Sequence, residues 1–267
     1  ISGKHDRFAL VPVPMGPAIK TEYPEVESFC RMMEAGNTLF RANENEYYED
    51  YFYFSDSTVF DVFTYDLLQG DAKSCLTEPK TMVLTEKIAQ KYFGNENPVG
   101  QFMTSGSGQT YKVTGVMKNQ PANSHLKFDA LISAMSIAEN VGVDDFNSME
   151  PNRFWNIGVY TFVLLKENAS MQRILDKFEP FYEKYMKPVG DQINASFSLM
   201  ATPLAVTHFR QGLGAELPTG NRAYIFIFSA VALFLLLIAA INYMNMATAR
   251  STNRAKEVGV RKVLGAF

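Results

Sequence analysis

The stretch Tyr224-Ile-Phe-Ile-Phe-Ser-Ala-Val-Ala-Leu-Phe-Leu-Leu-Leu-Ile-Ala-Ala-Ile241 constrains this chain most. It carries no charge, proline or glycine, and Ser229 is its one clearly polar residue. At about 1.5 Å per residue it makes about 27 Å of helix, and Asn242-Tyr243-Met244-Asn245-Met246 adds about 7 Å. That is enough to cross a bilayer core of about 30 Å. The competing reading is the central helix of a soluble domain, but such helices are usually shorter and keep a polar face. A membrane span is therefore expected over residues 221–246.

The flanks orient it. Arg222 stands near its start, whereas Arg250, Arg254, Lys256, Arg261 and Lys262 follow its end against the single acid Glu257. Basic residues beside a span stay on the cytoplasmic side. Residues 1–220 are thus expected outside the membrane and residues 247–267 inside.

About 220 exported residues are enough for one large domain or two small ones. A net charge of −3 gives no basic face, so no nucleic-acid partner is expected. Cys30 and Cys75 cannot form a disulfide framework, although one bridge is possible in an oxidising compartment. Two unpaired buried thiols are the preferred reading. The start, Ile1-Ser2-Gly3, shows no basic or apolar leader. An exported domain still needs delivery, so an upstream membrane helix or signal is expected, and the sequence reads as cut at both ends.

Along the exported part, Phe8–Pro14 reads as extended chain, since each proline turns its predecessor away from helix. A short helix is expected from Pro17 to Tyr23, then a strand from Val26 to Met33. The aromatics Tyr47, Tyr48, Tyr51, Phe52, Tyr53 and Phe54 suggest one strand with a buried face, Glu49 and Asp50 being solvated or in a turn. Ser57–Phe63 reads as a helical turn capped by Ser57, and Leu67–Asp71 as a turn. Thr81–Leu84 suits a strand, followed by a helix with Thr85 at its N-cap. That helix has one apolar face of Ile88, Ala89, Tyr92 and Phe93, and Gly94 stops it.

Gln101–Thr104 and Thr110–Met117 form an expected hairpin around Ser105–Gly108. This Gly-Ser-Gly tip lacks the spacing and following helix of a phosphate cradle. Phe128–Ile132 and Val159–Leu165 are further strands, with a polar acidic loop over Gly142–Glu150. Ser170 opens a helix to about Met186, kinked or divided by Pro180, with Ile174, Phe178, Phe181, Tyr182 and Tyr185 on its apolar side. Phe197–Met200 and Leu204–Thr207 are expected as the last strand, and Gln211–Gly220 as a linker. The order of elements implies a mixed two-layer α+β domain, with two subdomains expected.

No catalytic constellation emerges. His5, His125 and His208 lie far apart in sequence and outside metal-ligand spacings. Asp144-Asp145 reads as a solvated loop rather than a cation site, and Asn123-Ser124-His125 as turn residues bonding their own backbone. No Walker A motif is present. No enzyme activity, cofactor or metal is expected of these residues.

Several stretches together resemble the MacB/FtsX-like permeases of ABC transporters. They are Tyr23-Pro24-Glu25-Val26-Glu27, Leu68-Gln69-Gly70-Asp71, Leu84 to Gly94, Asn97-Pro98-Val99-Gly100, Tyr111 to Val116 and Pro121 to His125. The most specific are Ala247-Thr-Ala-Arg250 and Arg254-Ala-Lys-Glu-Val-Gly-Val-Arg-Lys-Val-Leu-Gly-Ala266. The resemblance implies a periplasmic core domain between membrane helices in a bacterial inner membrane, with a helix before Ile1 and three after the domain, the first of them present here. It also implies a separate cytoplasmic ATPase, a second permease copy or paralogue, and an outer partner or substrate. Such permeases couple ATP-driven closure inside to motion outside, in efflux or mechanotransmission.

The tail reads as a short amphipathic cytoplasmic helix. Val260, Val263, Leu264 and Phe267 form its membrane-surface stripe. Arg254, Lys256, Glu257, Arg261 and Lys262 are the candidate ATPase contacts, the alternative being topology and lipid headgroups alone. A ligand-sensing domain of a signalling receptor is the competing function. It would need a heptad region after the span, which Gly259 and Gly265 disfavour. A membrane-anchored periplasmic enzyme would need a cleft of converging titratable groups.

Overall fold

The computed structural model describes residues 6–265. The chain forms two compact units. The first runs to His208 and takes in Gly212–Pro218; the second is Phe209–Gln211 with the chain from Thr219 onward.

The first unit opens with strand β1 (Val11–Pro12) and helix α1 (Met15–Glu22). Pro17 falls in the first turn of α1, where a missing amide proton breaks no helical bond. Strands β2 (Val26–Glu34), β3 (Thr38–Ala42), β4 (Asn45–Glu49) and β5 (Phe52–Ser55) follow. Next come the one-turn helix α2 (Val59–Val62), β6 (Leu67–Gln69), β7 (Thr81–Thr85) and α3 (Glu86–Phe93). The hairpin β8 (Phe102–Ser105) and β9 (Thr110–Met117) leads to β10 (Ala130–Ser133), α4 (Met135–Val141) and α5 (Val143–Phe146). A 3-10 turn over Pro151–Trp155 precedes β11 (Ile157–Leu165). Helices α6 (Met171–Asp176), α7 (Phe178–Tyr185), α8 (Lys187–Ile193) and α9 (Leu204–Thr207) end the unit's regular structure.

Among the described residues the strands form one mixed sheet in the order β1-β11-β2-β5-β10-β7-β9-β8-β3-β4, with β6 beside β9. The β5–β10 and β7–β9 pairs are parallel. Because successive side chains point to opposite faces, central strands serve two cores. Met82 and Leu84 of β7 join Phe52, Ala130 and Ile132 on the face covered by α3. Val83 joins Tyr53, Leu131, Phe128 and Met117 on the other face. A third cluster packs α1, α6 and α7 with Phe154 and Val26. The fold is α+β, as the order of elements implies.

Ile88, Ala89, Tyr92 and Phe93 are the buried residues of α3, the apolar face the sequence predicts. Thr85 occupies the N-cap with extended backbone but makes no side-chain cap bond, and Gly94 ends the helix at φ +60°. Pro180 lies in the first turn of α7; the helix expected from Ser170 to Met186 is divided earlier, at Lys177.

Six local expectations are corrected. Tyr47–Phe54 is two strands: β4 is the sheet's edge, and β5 lies inside it. Glu49, expected in solvent or a turn, is buried at the end of β4, where its Oε1 accepts from the Tyr92 hydroxyl at 2.8 Å and from Lys91 Nζ at 2.6 Å. Ser57 caps nothing. Helix α2 starts after Thr58, whose hydroxyl donates to the Phe29 carbonyl at 2.5 Å. Within Gly142–Glu150 a helical turn forms, with Asp144 and Asp145 in its first turn and Phe146 buried. Residues 197–200 form no strand, and Leu204–Thr207 is helical after Pro203. The expected linker is partly docked, since Leu217 is buried in the second of the two sheet cores.

Candidate membrane-coupling helix

The second unit is dominated by α10 (Arg222–Val263), a continuous helix of 42 residues. Asn221 caps it, its Oδ1 accepting from the Ala223 N–H at 2.8 Å. At 1.5 Å per residue it is about 63 Å long, roughly twice a bilayer core. Among the described residues it is the one helix long and apolar enough to cross a membrane, and none of its apolar window is buried. Phe226, Phe228, Phe234, Leu235 and Leu236 are each more than 60% exposed. A continuous apolar surface of this size is unfavourable in water and calls for a lipid or protein surrounding. Tyr224 and Tyr243 lie about 29 Å apart along the axis, the spacing of the two interfaces where amphipathic rings settle.

The candidate tail residues Arg254, Lys256, Glu257, Val260, Arg261, Lys262 and Val263 all fall on the last turns of α10, and Leu264 caps it. No break separates them from the apolar stretch. Gly259, which would weaken a helix, lies inside it, and Gly265 follows its end at φ +77°. Phe267 lies outside the described residues. Arg254, Glu257 and Arg261, at i, i+3 and i+7, share one face. Lys256 does not join them. It lines a shallow groove with Gly259, Val260, Val263 and Leu264, so a cation adjoins the apolar stripe at its start.

In the first unit, folding brings together residues that the sequence keeps apart. The rings of His125 and His208 meet edge to face, 5.8 Å between centroids. Burial, and then His208, lower the His125 pKa, while Glu216 acts in the opposite direction. No spacing rule marks this pair, and His5 lies outside the described residues. Ser124 does bond locally, its hydroxyl donating to the Leu126 carbonyl at 2.8 Å. Asp145 pairs with Arg153 at 3.3 Å. Cys30 and Cys75 are free, buried thiols, and burial pushes them up to about 12 and about 11. Among the described residues no group of three or more His, Cys, Asp or Glu is placed to hold a metal ion.

Two residues with no sequence signal are Tyr160 and Ala215. The Tyr160 hydroxyl donates to the Ala215 carbonyl at 2.8 Å, and Ala215 has φ +52°.

Comparison with known proteins gives these features a context. The sequence profile of the MacB-like periplasmic core domain matches residues 2–181. No curated protein sequence matches the chain. Among solved structures, a domain assigned to a permease protein of Porphyromonas gingivalis superposes with a TM-score of 0.56. It is 21% identical over 67% of this chain and 79% of its own. The periplasmic region of MacB from Actinobacillus actinomycetemcomitans gives 0.48, at 14% identity over 74% and 88% of the two chains. The extracellular domain of the noncanonic ABC-type transporter YknZ from Gram-positive bacteria gives 0.46, at 16% over 72% and 90%. The first of these supports a shared fold, and the family rests on the sequence profile, which spans well over half of the chain. The chain belongs to the family of MacB-like periplasmic core domains.

Proposed function

We propose that this chain is part of an ABC-transporter permease subunit of the MacB/FtsX type, which couples ATP hydrolysis by a cytoplasmic partner to conformational change of the periplasmic domain. One observation carries the reading: a domain of this family is followed in the same chain by an apolar helix with no buried residue and a basic end. Residues 1–220 are the periplasmic part, 221–246 the span in a bacterial inner membrane, and 247–267 the cytoplasmic coupling segment. The subunit is non-catalytic and needs no cofactor of its own. It pairs with a second copy or a paralogue and acts on a periplasmic partner or substrate.

The face of Arg254, Glu257 and Arg261 meets the ATPase, and Lys262 adds charge beside it. The groove of Val260, Val263 and Leu264 lies toward lipid, where the stem of Lys256 is buried while its ammonium reaches the headgroups. Affinity purification of the full-length protein from detergent-solubilised membranes tests this. An ATP-binding subunit should accompany the wild type and fall several-fold in Glu257→Ala/Arg261→Ala. A wild type that brings no ATPase, even after cross-linking, sinks the reading.

A further inference from the structure

The segment Leu213–Leu217 closes the first unit just before the chain leaves for α10, and a small set of contacts holds it. Gly214 bridges to the chain that enters the unit. Its N–H donates to the Arg7 carbonyl at 2.7 Å, and its carbonyl accepts from the Ala9 N–H at 3.0 Å. The approach is close enough that a Cβ on Gly214 would stand 2.8 Å from the Phe8 ring. Ala215 follows in the left-handed region at φ +52°, which is unfavourable for a residue carrying a Cβ. Its carbonyl accepts from the buried Tyr160 hydroxyl on β11. Burial, with Glu34 second, raises that phenol to about 12, so it remains a donor throughout the physiological range. Glu216 Oε2 accepts from the Leu213 N–H at 3.3 Å, and the Leu217 side chain enters the sheet core.

Strain and attachment thus oppose each other within one short turn. Central strand β10, by contrast, is bonded on both sides by β5 and β7. Segments with few backbone bonds and little buried apolar surface open well below the cost of global unfolding.

We propose that Leu213–Leu217 is a releasable latch. Closed, it ties the chain leading into α10 to Arg7–Ala9 and, through Tyr160, to β11, so that movement of the helix is passed to both. Open, it leaves the sheet folded and the helix free to move without it. The latch rests on the reading of α10 as a helix driven by an ATPase.

Amide hydrogen exchange on the full chain in lipid nanodiscs tests it, with β10 amides as the internal reference. Ala9 and Gly214 should exchange at least about ten-fold faster than Leu131 and Ile132. Tyr160→Phe keeps the ring and removes the bond, and should speed Ala9 and Gly214 a further three- to ten-fold or so. Ala215→Gly relieves the strain and should slow them by roughly three- to ten-fold, with β10 unchanged. Exchange of Ala9 and Gly214 at the β10 rate, or acceleration by Ala215→Gly, overturns the latch. In the ATPase-bound complex, ATP should change the exchange of Gly214. A bound ATPase with no such change overturns the latch while leaving the transporter reading intact, whereas absence of any bound ATPase overturns that reading itself.

Discussion

Strand β7 has an apolar centre and helix α10 an apolar window, yet every residue of Thr81–Thr85 is buried and none of the apolar window of α10 is. The strand has β9 and β10 as hydrogen-bonded neighbours and a core on each face, so the protein itself excludes water from it. The helix satisfies its backbone internally and offers its side chains to whatever surrounds it. Apolar side chains thus build a folded core in one region and an unburied helix, a candidate membrane span, in the other. What differs is the supply of partners within the chain, and it makes the two regions separable in experiment.

The largest expected effect lies in the domain. Arg31 donates from Nε to Asp56 Oδ2 at 2.9 Å and from Nη2 to Oδ1 at 2.8 Å, and the two side chains are only 7% and 15% exposed. Asp56→Ala leaves a buried guanidinium without its counter-charge, which should cost about 3–5 kcal/mol. Thermal unfolding followed by near-UV circular dichroism should show a lower midpoint, while carbonate extraction still finds the chain in the membrane. Release from the membrane would show that the regions are not independent.

Leu236→Arg makes the complementary test. A cation at the centre of a span costs about 2.5–3.5 kcal/mol of insertion. In residues 1–267 expressed without further membrane segments, the variant should lose membrane retention while its domain unfolds at the wild-type midpoint. If it stays fully retained, α10 is not the membrane anchor.

The smallest effect concerns His125. Its pKa is depressed in the folded chain, chiefly by burial and then by His208, so the unfolded chain binds a proton more readily. The contribution to stability is therefore complete above the ordinary imidazole value of about 6.5 and is lost as pH falls through the window below it. His125→Gln should flatten the dependence of the unfolding midpoint between about pH 7 and pH 5. An unchanged slope would mean that other groups carry it.

The locally encoded features were legible. The β7–α3 junction, the hairpin around Ser105–Gly108 and the apolar face of α3 follow from side-chain period, capping position and turn residues that lie within a few residues of one another. The errors share one cause. Glu49 reads as a solvated acid until Lys91 and Tyr92 arrive from α3, and residues 197–207 carry strand-like composition without a strand to pair with. In the tail, the helix puts Lys256 one turn before Val260, on the side of the stripe.

The sequence by itself determined the apolar part of α10, Tyr224–Ile241, because a run without charge, proline or glycine satisfies its own backbone as helix wherever it lies and has an apolar surface that water disfavours. Only the tertiary structure decided that Glu49 is buried, that His125 meets His208, and that Tyr160 holds Ala215 from 55 residues away. Those contacts depend on which strands become neighbours, and strand order in a mixed sheet is settled by the packing of both faces together rather than by any local pattern.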